Sequence, residues 1–97
     1  MLDLKEVDRV AQNAASAVLK RLRVRVFSEQ ATDSDGRDAL RITVVLPRRM
    51  TRRVSGDDAL DTVVRVRREL REAGEGRLPI IEFATEDELE ADADPQP

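Results

Sequence analysis

The residues most able to do chemistry in this sequence stand in a loop ahead of a predicted helix. Four arginines fall within six positions, and a serine, a glycine and two aspartates follow them: Arg48, Arg49, Arg52, Arg53, Ser55, Gly56, Asp57 and Asp58. Guanidinium groups beside a helix N-terminus are a common arrangement for holding phosphate. A single glycine does not make a phosphate cradle, however, and the aspartates can pair with the arginines. We interpret the four arginines, called here the arginine loop, as a solvated connector, with contact to nucleic acid or an acidic partner as the alternative.

One face of the predicted sheet is the second candidate surface. It carries three arginines and one phenylalanine at alternating strand positions: Arg23, Arg25, Phe27 and Arg41. In residue type this set resembles a platform that stacks bases and contacts phosphates, although such platforms usually carry more than one aromatic ring. A protein partner or a second copy of the chain is the first interpretation, with Phe27, Val45 and Ile80 as the apolar centre. Plain exposure, with arginine paired to Glu82, ranks second and nucleic acid third.

Catalytic and metal sites are hard to build from this composition. The chain has no histidine, cysteine, tyrosine or tryptophan, which removes the commonest general base, thiolate nucleophiles and the usual zinc ligands. Asp57, Asp58 and Asp61 could form a carboxylate metal site, but acids at a helix start more often complement its dipole. The stretch DSDGRD, residues 33–38, begins like a calcium loop, yet its spacing favours a hairpin turn. We predict no enzymatic activity, no cofactor and no bound metal.

The charges are unevenly distributed along the chain. The 97 residues carry a net charge of −3, but residues 85–97 hold six acids and no base, so the preceding part is mildly basic. The length predicts a single domain over residues 1–90, and the composition of residues 91–97 predicts a disordered acidic tail. This acidic end either only solubilises the chain, folds back on the arginine loop, or competes with nucleic acid for a basic partner. The apolar runs are too short to span a membrane and the N-terminus is unlike a signal peptide, which favours the cytoplasm.

Hydrophobic periodicity predicts the element order α-β-β-α-β. Ser55 is expected to cap the second helix, and Thr85 with Glu88 forms a capping box that predicts one helical turn after the last strand. Every fourth or third residue of the second helix is apolar, which predicts a buried stripe of Ala59, Val63, Val66, Leu70 and Ala73. The predicted elements are helix 3–20, strand 21–29, strand 39–47, a helix that starts at Ser55 and is stopped by Gly74, and strand 78–84.

These elements predict a small α+β domain of two layers. Its three-stranded sheet is expected to be mainly antiparallel, with strand order 2-1-3 and two helices on one face. The opposite face would then be left uncovered by the rest of the chain. Together with the missing catalytic groups, this predicts a non-catalytic interaction module, such as a small regulatory, adaptor or antitoxin-like subunit of a larger bacterial assembly. A nucleic-acid-binding domain that uses the same arginines is the alternative.

Overall fold

A computed structural model describes residues 1–48 and 54–93 of the chain. It has a small α+β fold in which the order α-β-β-α-β is followed by a third, short helix. The elements are α1 (Leu4–Val18), β1 (Arg25–Thr32), β2 (Asp38–Leu46), α2 (Gly56–Glu72), β3 (Leu78–Thr85) and α3 (Glu86–Ala93). No helix within these described ranges combines the length and apolar character needed to cross a membrane.

The helices begin at side chains that accept hydrogen bonds from their first turns. The carboxylate of Asp3 accepts from the N–H of Glu6 at 2.9 Å, and the hydroxyl of Ser55 accepts from the N–H of Asp58 at 3.0 Å. Thr85 and Glu88 cap α3 reciprocally, because each side chain accepts from the backbone N–H of the other. The predicted caps at Ser55 and Thr85 are confirmed. They satisfy N–H groups that have no partner inside the helix.

The strand order is β1-β2-β3, so the predicted order 2-1-3 is wrong. The β1–β2 hairpin is antiparallel as predicted, but β3 pairs with β2 in parallel and the sheet is mixed. The reason is the connection through α2, since a chain that crosses over by a helix returns to the same end of the sheet and runs parallel to the strand it left. The prediction of a mainly antiparallel sheet therefore fails at β3.

Burial explains why β2 is the central strand. Along β2 only Asp38 and Arg41 are exposed, because the strand has a neighbour on each side and is covered on both faces. β1 instead exposes Arg25, Phe27 and Glu29, which suits an edge position. A strand that is apolar on both faces fits the middle of a sheet better than one with charges on alternate residues.

The core lies between one face of the sheet and the helices α1 and α2. It joins inward residues of both layers: Val7, Ala11, Ala14 and Ala15 of α1, Val26 of β1, Leu40, Ile42, Val44 and Leu46 of β2, and Val66 and Leu70 of α2. The predicted buried stripe of α2 is confirmed at Val66 and Leu70, but other residues are buried or exposed than predicted towards the two ends of the helix. Thr62 is fully buried and donates to the carbonyl of Asp58 at 2.8 Å, whereas Ala73 is exposed.

The acidic end of the chain continues the fold beyond β3. α3 is longer than the predicted single turn, and its backbone runs to Ala93, three residues into the segment that composition assigns to a tail. Residues 94–97 lie outside the described part, so the disorder expected there stays a prediction. The predicted domain boundary likewise stays a prediction.

Candidate functional site

The sheet face turned away from α1 and α2, called here the outer face, collects most of the predicted partner-binding residues. It consists of the odd-numbered residues 25–31 of β1 and 39–45 of β2 with the even-numbered residues 78–84 of β3, which the strand register aligns in rows. In one row Phe27 lies opposite Thr43, and Thr43 lies opposite Glu82. Phe27 and Arg41 therefore share this face, as the alternating sequence predicts.

Phe27 is the largest apolar side chain exposed on the outer face. Its residue keeps 39% of its surface accessible, although it lies next to the central strand. Thr43, directly opposite, is only 6% exposed, so the ring lies against a closed part of the sheet. An aromatic ring on a flat, ordered surface can bury a large area on association at low conformational cost.

Arg41 is held between two carboxylates on the neighbouring strands. Its Nη1 lies 3.4 Å from Oε1 of Glu29 on β1, and its Nε lies 3.5 Å from Oε1 of Glu82 on β3. The cross-strand contact with Glu82 was expected from the alternation, whereas the contact with Glu29 was not. Because both acids are exposed like Arg41 itself, the three side chains contribute little to stability. They do balance the charge at the middle of the face.

Arg23 and Arg25 stand at one end of this surface. Arg25 is the first residue of β1, and Arg23 lies two residues before the strand, in the connection from α1. Both are exposed, and among the described residues neither takes part in a salt bridge. The four residues predicted as a contact face are thus brought to one side, with Arg23 at its margin and only Arg41 neutralised.

The outer face is less open than the sequence indicates. Val45, expected at the apolar centre of the contact surface, is only 1% exposed and cannot take part in an interface. It lies in the row of Arg25 and Ala84, at the end of the sheet from which α3 follows. The expectation of an uncovered face is therefore wrong along β2, whose outward residues other than Arg41 are buried. Phe27 and the half-buried Ile80 remain, and Leu78 is added at the far end with 49% of its surface accessible.

Arg48 is the described residue of the arginine loop, and it is paired. Its Nη2 donates to both carboxylate oxygens of Glu90 on α3. This hydrogen bond and the charge of Glu90 raise the pKa of the Arg48 guanidinium. The acidic end of the chain thus reaches back to the first arginine of the loop, which was one of the readings left open. Arg49, Arg52 and Arg53 lie outside the described residues.

The two acidic motifs form no metal site in the described part of the chain. No group of three or more acidic residues there is placed to hold a cation, which includes Asp57, Asp58 and Asp61. In the DSDGRD stretch, the carboxylate of Asp33 accepts from the N–H groups of Asp35 at 2.8 Å and Arg37 at 2.9 Å. Gly36 adopts φ +82°, which the turn requires and a side chain would disfavour. The stretch is a hairpin turn, as predicted.

Two polar clusters were missed by sequence reasoning. Glu75 and Arg77, in the turn after α2, form a buried ion pair at 2.7 Å that also bonds the backbone of Leu2 in both directions. Gln12 of α1 donates to the carbonyl of Val24 at 2.8 Å and accepts from the N–H of Val26 at 2.9 Å. For the second cluster, the only signal in the sequence was Gln12 itself, a polar residue on an otherwise small and apolar face of α1. Its position does not identify the backbone groups that it bonds.

A concavity of about 340 Å³ at one end of the hairpin is lined by residues that include Met1, Thr32, Asp38 and Arg77, and Arg77 is already bonded to Glu75. No protein-family model, curated protein or solved structure matches the chain. Function is therefore inferred from the side chains of the outer face and their contacts.

Proposed function

We propose that this chain is a non-catalytic protein-interaction module that binds a protein partner through the outer face of its sheet. In this role it is a small regulatory, adaptor or antitoxin-like subunit of a larger bacterial, cytoplasmic assembly. One observation carries the proposal: Phe27 is exposed on a face whose central charge, Arg41, is already balanced by Glu29 and Glu82. Such a surface suits a protein better than a polyanion.

The composition of the face supports a partner that binds and releases. Non-obligate interfaces are about as apolar as the rest of a protein surface, and aromatic residues and arginine are enriched at their centres. Phe27 would be the buried anchor, Arg25 and Arg41 would lie beside it, and Leu78 would extend the contact along the sheet. Arg23, at the margin, would act mainly through long-range attraction.

The nucleic-acid alternative has weaker support. Binding to a phosphate backbone needs several uncompensated cations, and sequence-tolerant stacking needs aromatic platforms. Arg41 and Arg48 are both engaged by carboxylates, and Phe27 is the one aromatic residue of the outer face. Nucleic acid is therefore kept as an outcome of the test below.

The test compares partner capture by wild type and by Phe27→Asp. Tagged protein is incubated with native lysate, with and without nuclease, and the eluate is identified by mass spectrometry. We expect a stoichiometric protein that survives nuclease with the wild type and is lost with Phe27→Asp, because a charge cannot enter the buried centre of an interface. Ser34→Asp, in the exposed turn, adds the same charge elsewhere and should retain the partner.

Two results would contradict the proposal. One is a partner captured equally by folded Phe27→Asp and by the wild type. The other is an eluate in which all captured protein disappears with nuclease and binding weakens steeply with salt, which would favour the nucleic-acid alternative. Circular dichroism of both variants establishes that they remain folded.

A further inference from the structure

The two edge strands, β1 and β3, differ in how their outward backbone groups are hydrogen-bonded. At β1, the side-chain amide of Gln12 bonds the carbonyl of Val24 and the N–H of Val26, as a neighbouring strand would. Further along, the hydroxyl of Ser28 donates to Asp8 of α1 at 2.5 Å. The start of β1 is thus capped by α1, which hinders another strand from adding there.

The edge of β3 is satisfied only at its two ends. Arg67 of α2 donates to the carbonyl of Pro79 at 3.4 Å, and the N–H of Thr85 donates to Glu88 at 3.1 Å. A strand residue directs its N–H and C=O to the same side, and alternate residues face alternate neighbours. The odd-numbered residues of β3 therefore face away from β2. Within the described part of the chain, this leaves the backbone groups of Ile81 and Phe83 unpaired between two capped positions.

An apolar ridge on α2 stands above the same edge. Leu60 and Val64, one turn apart, are 61% and 53% exposed, and Arg67 and Arg71 continue their stripe at helical spacing. Because Arg67 reaches Pro79, this side of α2 overlies β3. Exposed leucine and valine side chains beside an open strand edge form one continuous surface for a partner.

The charges along this side of α2 would match those of a second α2 that runs antiparallel to it, because opposite charges would then face each other. The first half of the helix carries Asp57 and the second half carries Arg71, within about 40° of each other around the helix axis. If a second α2 lies antiparallel across Val64, Asp57 comes opposite Arg71 of the other copy. Val64 then lies opposite itself. A two-fold axis requires this kind of self-complementarity.

The same two-fold axis also allows β3 to pair with β3 of the second copy. Val64 lies about 4.5 Å along the helix from Arg67, and Ile81 lies about 6.6 Å along the strand from Pro79. Because α2 and β3 run in opposite directions, Val64 and Ile81 are at nearly the same level. With Ile81 opposite Ile81, the two residues exchange backbone hydrogen bonds and Glu82 faces Ile80 rather than another Glu82.

We propose that the chain forms a two-fold symmetric homodimer in which β3 pairs with β3 and α2 packs against α2. The occupant of the open edge is thus a second copy of this chain, and a continuous six-stranded sheet results. Antiparallel strands about 4.8 Å apart bring helices that overlie them towards the usual packing separation of about 8–10 Å. The outer faces of both copies remain open, so the inference goes beyond the proposed function and does not depend on it.

The first test is a disulfide across the axis. The chain has no cysteine, so a single substitution gives one defined thiol. In the proposed dimer, Val64→Cys places the two sulfur atoms within reach of a disulfide, whereas Glu72→Cys, on the side of α2 towards α1, does not. We expect Val64→Cys to cross-link at micromolar protein under mild oxidation, at least about tenfold faster than Glu72→Cys. Equal rates would overturn the proposal.

The second test exchanges charges and is read by sedimentation equilibrium. Asp57→Arg and Arg71→Asp each place like charges opposite each other, so each should weaken dimerisation about tenfold or more. The double variant restores opposite charges and should recover most of the affinity. A wild-type chain that stays monomeric at millimolar concentration, or a double variant no better than the singles, would contradict this dimer. Phe27→Asp should leave the dimer intact, which separates this result from the test of partner binding.

Discussion

At the residue scale, the Glu75–Arg77 pair is the most deeply buried ion pair among the described side chains. Its carboxylate oxygens accept from the Arg77 guanidinium, from the N–H of Arg77 at 2.8 Å and from the N–H of Leu2 at 3.1 Å. These bonds hold the pKa of Glu75 down to about 2, against an ordinary value of 4.5. The pair ties the N-terminus to the turn between α2 and β3, and it is almost completely shielded from water.

Acid should unfold the protein partly through this residue. The folded pKa lies below the unfolded one, so the carboxylate stabilises the fold above about pH 5, and this contribution is lost as pH falls towards 2. This lowering of the Glu75 pKa corresponds to a stabilisation of about 3 kcal/mol at neutral pH. We expect Glu75→Gln to lower the free energy of unfolding at pH 7 by about 3 kcal/mol, and to flatten its dependence on pH between about 5 and 2, measured by urea titrations.

The control for this experiment is Glu72→Gln, which changes an exposed carboxylate on the same segment. Its stability and its acid profile should both follow the wild type, because an exposed acid interacts mainly with solvent. An acid profile of Glu75→Gln as steep as that of the wild type would show that other carboxylates govern acid unfolding.

At the element scale, β1 depends on α1 for the hydrogen bonds that a fourth strand would otherwise supply. Gln12 bonds Val24 and Val26 from a distance of more than ten residues along the chain. A partly buried N–H that loses its acceptor retains the cost of its lost hydration. This one side chain therefore both positions α1 and protects the sheet edge.

Gln12→Ala is expected to lower the free energy of unfolding by about 1–3 kcal/mol, since both backbone groups lose their partner. The measurement is equilibrium unfolding in urea. Gln30→Ala, in which an exposed glutamine of β1 is removed, should change it by no more than about 0.5 kcal/mol. Equal effects of the two substitutions would mean that the amide of Gln12 is replaced by water at no cost.

At the scale of the whole molecule, the core is held by contacts between elements distant in sequence. Leu70 of α2 is fully buried among residues of α1 and the sheet, whereas Leu60 of the same helix is exposed. Truncating a buried leucine removes both its transfer free energy and the contacts of its neighbours. Truncating an exposed one does neither.

Leu70→Ala should therefore lower the free energy of unfolding by about 2–5 kcal/mol. Leu60→Ala should change it by less than about 0.5 kcal/mol when measured at concentrations at which the chain is monomeric. Thermal unfolding followed by circular dichroism gives both values, and the shared helix cancels most differences in helix propensity. A large loss with Leu60→Ala in the monomer would show that this surface is packed within a single chain.

The sequence predicts the part of the outer face that follows from the alternation of side chains between the two faces of a strand. Arg25, Phe27 and Arg41 share a face because side chains alternate along a strand, and this follows from spacing alone. The pairing of Arg41 with Glu29 needed the hairpin register, and the burial of Val45 needed the central position of β2 in the sheet. The engagement of Arg48 by Glu90 joins residues about forty positions apart, which no local pattern can indicate.

What the sequence determined by itself is the set of elements, the caps at Ser55 and Thr85, and the inward faces of β1, β2 and α1. Propensity, periodicity and capping act over a few residues, so each can be read locally. Only the tertiary structure decided the place of β3 beside β2, the capping of the start of β1 by Gln12 and the burial of Glu75. These depend on which surfaces meet when α2 crosses the sheet. The balance of burial and desolvation there involves residues far apart in the chain.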